Sequence, residues 1–145
     1  MTGGVLLAVL LLSAMLFVFR PHKTVQRILF FPDATTGVWR GELRELPVQP
    51  DRETEMEYVL KELVLGPTVL QHARALPRET RIHSVIYRDR VLYIDFSAHL
   101  VFDNDGTLPS FQDMLDGVRH TIEYNYPRVE EVRVFIDGSA PKALS

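Results

Sequence analysis

The stretch RIHSVIYRDRVLYIDFS, residues 81–97, carries the clearest strand pattern of the chain. Apolar and polar residues alternate up to Tyr87, stop alternating at Arg88-Asp89-Arg90, and alternate again from Val91 to Phe96. Two alternating runs joined by a short polar turn predict a β-hairpin. The remaining strands and helices are predicted from the sequence on either side of this hairpin.

Two strands and a helix are predicted before the hairpin, and a helix and a strand after it. The strands are VQRILFF (25–31), GVWRGELREL (37–46), with an irregularity at Gly41, and EEVRVFI (130–136). Apolar residues at helical spacing predict one helix between the N-cap Asp51 and Gly66, and another between Ser110 and Pro127. The order β-β-α-β-β-α-β predicts an α/β (α+β) two-layer sandwich, in which two main helices cover one mixed sheet of about five strands.

The N-terminal segment from Gly3 to Phe19 carries no charge. As a helix it would be roughly 26 Å long, close to the roughly 30 Å of a bilayer core. With the basic flank Arg20 and Lys23, residues 1–23 are predicted to be a single-pass transmembrane signal anchor, followed by a domain at 24–139 and a tail at 140–145. A cleaved signal peptide is the alternative, although no basic region precedes the apolar segment.

Sidedness stays open from charge alone. The basic residues Arg20, Lys23 and Arg27 all follow the apolar segment, and the positive-inside rule would then place the domain in the cytoplasm. Only the amino terminus stands on the other side, so this bias is small.

Composition excludes several function classes. The sequence has no cysteine, so it has no disulfide, thiolate nucleophile, zinc–thiolate site or acylated lipobox. Residues 24–145 hold 14 Lys and Arg against all 19 Asp and Glu, a formal charge of −5. This acidic balance argues against a nucleic-acid partner, which would require a basic face.

No catalytic, cofactor or metal site is predicted. The five histidines, His22, His72, His83, His99 and His120, show no metal-binding spacing, and Asp103-Asn104-Asp105-Gly106 fails the calcium-loop pattern because Leu108 and Met114 occupy the required turn and ligand positions. Asp95 follows Ile94 within a strand. Its carboxylate either accepts from nearby backbone amides or from Ser97, or acts as a general base or a cation ligand. A hydrolase that uses Asp95 with His83 or His99 is therefore an alternative.

Two surface features leave further alternatives. Trp39 and Tyr87 could serve as stacking platforms of a small-ligand or glycan sensor. The arginines between the first helix and the hairpin would either lie on a solvated loop or bind an acidic partner or lipid headgroups; they are Arg74, Arg78, Arg81, Arg88 and Arg90.

Four segments together resemble the GerMN domain, found in sporulation and spore-germination proteins and in bacterial envelope lipoproteins. They are RILFFPD (27–33), YVLKELVLGP (58–67), YIDFS (93–97) and VRVFIDG (132–138), and the resemblance extends from about Val25 to Gly138. The positions that match the motif as structural landmarks are Gly66, Pro67, Asp95, Ser97, Asp137 and Gly138.

The resemblance implies an extracytoplasmic, non-catalytic binding module similar to ring-building domains. Its implied partners are envelope proteins or peptidoglycan, with homo-oligomers as a further outcome, whereas the membrane is expected as a partner from the apolar residues 3–19 themselves. The resemblance also favours an extracytoplasmic domain over the cytoplasmic one that the distribution of basic residues indicates. The chain departs from the usual pattern because it lacks a lipobox cysteine, so the apolar helix would have to anchor it, and because it holds one copy of the domain.

Overall fold

The computed structural model describes residues 2–102 and 106–140. The helices are α1 (Thr2–Val18), α2 (Arg52–Leu65), α3 (His99–Phe102) and α4 (Phe111–Asn125). The strands are β1 (Thr24–Pro32), β2 (Trp39–Pro47), β3 (Ile82–Arg88), β4 (Val91–Phe96) and β5 (Glu131–Ile136). The chain is therefore of the predicted mixed α/β class, but the short helix α3 is absent from the predicted order. Asp103-Asn104-Asp105 and tail residues 141–145 lie outside the described residues.

The strands form two sheets, so the prediction of one sheet of about five strands is wrong. Strands β1 and β2 make an antiparallel pair, and β3, β4 and β5 make a second sheet with β4 in the centre. Strand β4 pairs antiparallel with β3 and parallel with β5, so the second sheet is mixed, as predicted. The predicted irregularity at Gly41 is also wrong, because the β1–β2 register is continuous.

The first sheet stops at β1 because other groups satisfy its outer edge. The Ile28 N–H donates to Asn125 Oδ1 at 2.9 Å, and Asn125 Nδ2 donates back to the Ile28 carbonyl at 2.6 Å. The Phe30 N–H donates to Thr121 Oγ1 at 3.3 Å, and the Ala73 N–H donates to the Pro32 carbonyl at 2.7 Å. Helix α4 and the 71–73 segment thus occupy the place where a third strand would pair.

The core lies between the sheets and the inner faces of α2 and α4. The predicted caps are confirmed, since Asp51 accepts from the Thr54 N–H at 2.8 Å and Ser110 Oγ accepts from the Asp113 N–H at 3.1 Å. The helices contribute Met56, Val59, Leu60, Leu63, Met114, Val118 and Ile122 to the core, and the strands contribute Leu29, Phe31, Leu92, Ile94 and Phe96. Burial of these apolar side chains is the main source of stability.

Helix α1 is made of apolar and small residues from Gly3 onward, and its large side chains from Val5 to Val18 are 59–75% exposed. Over residues 2–102 and 106–140, no helix combines the length and the hydropathy that a membrane crossing requires. The predicted transmembrane helix is therefore not found.

Candidate binding surface

Among the described residues, no hydrogen bond or ion pair joins Asp95 to His83 or His99, the residues of the hydrolase alternative. Asp95 Oδ1 accepts from the Gly138 N–H at 2.9 Å, while His83 Nε2 lies 2.9 Å from Asp137 Oδ1. His99 Nδ1 lies 3.2 Å from Ser97 Oγ. Asp95 thus accepts from a backbone amide, one of the roles predicted for it, although the amide is not a local one and comes from the turn after β5.

The motif landmarks at the ends of β4 and β5 fasten these strands together. Ser97 Oγ accepts from the Arg81 N–H at 2.9 Å, and the Ser97 N–H donates to the Arg81 carbonyl at 2.8 Å. The Asp137 N–H donates to the Phe96 carbonyl at 2.9 Å. With the Asp95–Gly138 bond, these contacts give the motif a structural role at this end of the sheet.

The landmark Gly66 ends α2 in a conformation that requires glycine. Its φ is 100°, and a Cβ there would lie 2.6 Å from Arg74 Nη1. Arg74 donates to the Leu65 carbonyl at 3.1 Å and also to that of Val64, so its guanidinium caps the free carbonyls of the helix. Gly66 leaves the space that this cap occupies, and Pro67 follows it directly.

A buried ion-pair network ties the same helix end to β2. The Arg44 side chain is 9% exposed, and its Nη2 lies 2.8 Å from Glu42 Oε1 while its Nη1 lies 2.8 Å from Glu62 Oε2. Arg44 Nη2 also donates to the Gly66 carbonyl at 2.6 Å. The Arg44 guanidinium therefore has two carboxylates and a backbone carbonyl as partners. A buried ion pair needs such additional hydrogen bonds to offset the cost of desolvation.

Glu42 anchors the loop that follows Pro67. Its Oε1 accepts from the Thr68 N–H at 3.0 Å and from Thr68 Oγ1 at 2.7 Å, and His72 Nδ1 lies 3.1 Å from Oε2. Burial alone raises the pKa of Glu42, but the hydrogen bonds from Thr68, Arg44 and His72 outweigh burial and lower the pKa from 4.5 to about 2. The carboxylate is ionised and fully engaged, so it suits anchoring rather than proton transfer.

Trp39 lies in an open groove against α4, here called the Trp39 groove. A Cβ at Gly117 would overlap the Trp39 ring, so the ring rests directly on the helix backbone. Two adjoining cavities of about 440 and 410 Å³ share Trp39 and Asp113 as lining residues. The position of Trp39 thus allows the stacking role suggested for it, whereas Tyr87 lines neither cavity and donates its hydroxyl to the Arg128 carbonyl at 3.3 Å.

The Trp39 groove is acidic. Asp113, Asp116 and Glu123 line it, and Arg119 offsets one of these charges by pairing with Asp116 at 2.7 Å. Within the described parts of the chain, no group of three or more His, Asp and Glu side chains is placed to hold a metal ion. The groove can therefore offer stacking and carboxylate acceptors to a ligand.

Beside the groove, the outer face of the β1–β2 pair is apolar and partly exposed, since Ile28 and Phe30 are half-buried. The Phe30 ring lies edge-on to His120, with centroids 4.1 Å apart, and edge-on to Tyr124 at 5.3 Å. Tyr124 is 58% exposed, and Leu43 on β2 is 57% exposed. We call this face, with Ile28, Phe30, Leu43, His120 and Tyr124, the hairpin face.

The sequence pattern did not predict the Glu42–Arg44 pair or the Trp39–Gly117 contact. A signal for the pair exists, because Glu42 and Arg44 alternate with exposed Gly41 and Leu43 and so occupy the buried face of β2. The Gly117 contact joins residues that are 78 positions apart, and nothing in the local pattern indicates it.

The family described as "Sporulation and spore germination" (Germane) matches residues 28–142. Similar solved structures include the first GerMN domain of the sporulation protein GerM from Bacillus subtilis, with 22% identity over 82% of this chain and 87% of that chain and a TM-score of 0.61. The tandem GerMN domains of the same protein match with 22% identity, 83% of this chain, 42% of that chain and a TM-score of 0.63.

A Clostridium perfringens protein named as a candidate lipoprotein matches at 24% identity over 80% of this chain and 76% of that chain, with a TM-score of 0.52. No curated protein matches the chain. The structural likenesses show that the fold is shared.

Proposed function

We infer the function from the premise that this chain belongs to the sporulation and spore germination family, whose domain is called GerMN. We propose that it is an extracytoplasmic, non-catalytic binding and assembly module of the bacterial cell envelope. The observation that carries the proposal is the apolar hairpin face next to the Trp39 groove, on which Leu43 and Tyr124 are more than half exposed. Large exposed apolar patches on compact domains are typical of interaction sites.

Contact through this surface can be tested in cells with a photo-crosslinking residue. Placed at His120, beside Phe30, it should capture an envelope protein or peptidoglycan. Placed at Lys61, whose side chain is 59% exposed on α2, it provides the matched control. Equal capture at both positions, or none at His120, would contradict binding through the hairpin face.

Helix α1 would attach the domain to a membrane. Eleven large apolar side chains on this helix are each at least 59% exposed, and burial of a side chain such as Leu or Val in an apolar phase is worth about 1.5–3 kcal/mol. The apolar helix would then take the role that a lipid-modified cysteine has in a lipoprotein.

Fractionation tests the attachment. The full chain should sediment with membranes, resist salt and be released by detergent. A variant with Leu10→Lys and Leu11→Lys should move to the soluble fraction, because charges in an apolar segment oppose insertion. A Ser13→Ala variant is the control and should sediment like the unmodified chain. Recovery of the double-lysine variant in the membrane pellet would refute anchoring by α1.

Absence of catalysis is part of the proposal, and Asp95→Asn tests it. The amide oxygen of the substituted side chain can still accept from the Gly138 N–H, so the variant is expected to fold and to bind its partner. If the unmodified chain hydrolyses an envelope substrate and the variant does not, the domain is an enzyme and the proposal fails.

A second candidate function is favoured by the Trp39 groove: a small-ligand or glycan sensor. Trp39 is the only tryptophan of the chain, so its fluorescence reports on this groove alone. Titration with soluble muropeptides should change the emission and saturate if the groove binds glycans. Tyr87→Phe should not affect that titration, because Tyr87 lies outside the groove. If Trp39 emission does not change during the titration, the groove does not bind these glycans, and only the assembly role is supported.

A further inference from the structure

One edge of the first sheet is open. Ile28 and Phe30 direct their backbone groups away from β2, toward Asn125 and Thr121. Their register partners on β2 are Leu43 and Gly41, respectively, so these pairs are the non-hydrogen-bonded ones of the antiparallel ladder. By the same alternation, the N–H and C=O groups of Gly41, Leu43 and Glu45 point outward from β2.

Nothing among the described residues covers this edge. No strand pairs with β2 other than β1, and no backbone hydrogen bond joins Gly41, Leu43 or Glu45 to a group outside the pair. Leu43 in the middle of the edge is 57% exposed. Natural edge strands are normally blocked by charged side chains, a proline, a bulge or a covering segment. At β1 the covering groups are present. At the centre of β2 no proline, bulge or covering segment occurs among the described residues, and the inward-pointing charges of Glu42 and Arg44 are paired with each other.

The open edge is complementary to itself. If two copies of β2 pair antiparallel about a two-fold axis at Leu43, then Leu43 faces its own copy and Gly41 faces Glu45. Farther out, Arg40 faces Leu46, and Trp39 faces Pro47, which lacks an N–H and ends the ladder. No like charges face each other in this register, and Glu45 meets a residue without a side chain. Such pairing gives specificity as well as backbone hydrogen bonds.

We propose that two copies of this chain join through their β2 strands, forming a continuous antiparallel sheet in the order β1-β2-β2-β1. A sheet of two strands is only marginally stable by itself. The dimer would join the two-stranded sheets of both copies into one sheet of four strands. The two hairpin faces would then merge into one apolar surface that carries Leu43 at its centre. This interface is independent of which envelope partner the module binds.

Cysteine cross-linking tests the register, since the chain has no native cysteine. At Leu43 the two copies would be a hydrogen-bonded pair with a Cα–Cα distance of about 5.5 Å, within disulfide range. Full-length Leu43→Cys in detergent is therefore expected to form a disulfide dimer under mild oxidation. Glu45→Cys is the matched control: its two copies would lie about 14 Å apart along the strands and should stay unlinked.

Sedimentation of the full chain in detergent provides the second measurement. Leu43→Lys places a charge at the centre of the edge and should weaken dimerisation about tenfold or more, while helix α1 is identical in both chains. Circular dichroism shows whether the variant is folded. A monomeric unmodified chain, equal cross-linking at 43 and 45, or a dimer unaffected by Leu43→Lys would each overturn the proposal. If the unmodified chain is monomeric, the open edge is available instead to a strand of another protein.

Discussion

Substitution of Glu42 by Gln should destabilise the fold strongly, and the loss should depend on pH. The variant keeps the size of the side chain but removes the negative charge that faces Arg44 and accepts from Thr68. It also leaves the Arg44 side chain, 9% exposed, with Glu62 as the one remaining counter-ion of this described network. Removal of one member of a buried ion pair typically costs about 3–5 kcal/mol.

The depressed pKa of Glu42 gives a second value for the free energy that its carboxylate contributes to folding. The pKa of Glu42 in the folded chain is about 2, against an ordinary value of 4.5. Each pKa unit corresponds to about 1.4 kcal/mol. Ionised Glu42 therefore contributes about 3 kcal/mol to stability at neutral pH. Because the folded pKa is depressed, this contribution is complete above the unfolded pKa and falls as the pH drops toward 2. About 2 kcal/mol of it should be lost between pH 7 and pH 3.

Urea unfolding at pH 7 and pH 3 measures both quantities. The unmodified chain should lose stability on acidification, and the gap between it and Glu42→Gln should narrow by about 2 kcal/mol. Glu45→Gln is the control because Glu45 lies on the exposed side of the same strand, and its effect should stay within about 0.5 kcal/mol. A Glu42→Gln variant within about 1 kcal/mol of the unmodified chain, with a parallel pH profile, would refute the assigned role of the network.

Three further substitutions test the groove, the sheet edge and the hairpin turn. Gly117→Ala should destabilise the fold by about 1–3 kcal/mol and shift Trp39 emission, since its Cβ would overlap the ring; unchanged emission with a higher melting temperature would contradict the contact. Asn125→Ala should cost about 1–3 kcal/mol in thermal unfolding, because it frees both backbone groups of Ile28. An effect no larger than that of Gln112→Ala, on the exposed face of α4, would show that Asn125 does not close the β1 edge. Arg90→Gly should raise the melting temperature by a few degrees, since Asp89 and Arg90 have φ of 51° and 64° and glycine adopts that conformation without strain; a lower melting temperature would mean that the exposed Arg90–Glu130 pair matters more than backbone strain.

The sequence predicted the individual elements because their signals are local. Alternation over residues 82–96 and apolar stripes led by Met56 and Met114 are properties of short windows, and Asp51 and Ser110 cap the helices that they precede. The family resemblance also depends on short motifs, and it is confirmed by the match over residues 28–142.

The division into two sheets could not be predicted in the same way. It depends on Thr121 and Asn125 of α4, which bond Phe30 and Ile28 at sequence separations of 91 and 97 residues. No local pattern distinguishes a strand that pairs with another strand from one whose edge is filled by side chains of a helix. The expectation that all strands share one sheet therefore failed at β1.

The candidate surface was predicted only in part. Trp39 was singled out from the sequence and does line an open groove, but the open edge at Leu43 follows from hydrogen-bond alternation that is set by contacts with α4. Helix α1 was predicted from its apolar composition, and among residues 2–102 and 106–140 no helix combines the length and the hydropathy that a membrane crossing requires.

Protease accessibility of the domain in intact spheroplasts and in inverted membrane vesicles is the sharpest test of the envelope assignment. An extracytoplasmic module held at the membrane by α1 should be digested in spheroplasts and protected in inverted vesicles. Digestion confined to inverted vesicles would place the domain in the cytoplasm, and would contradict the envelope role.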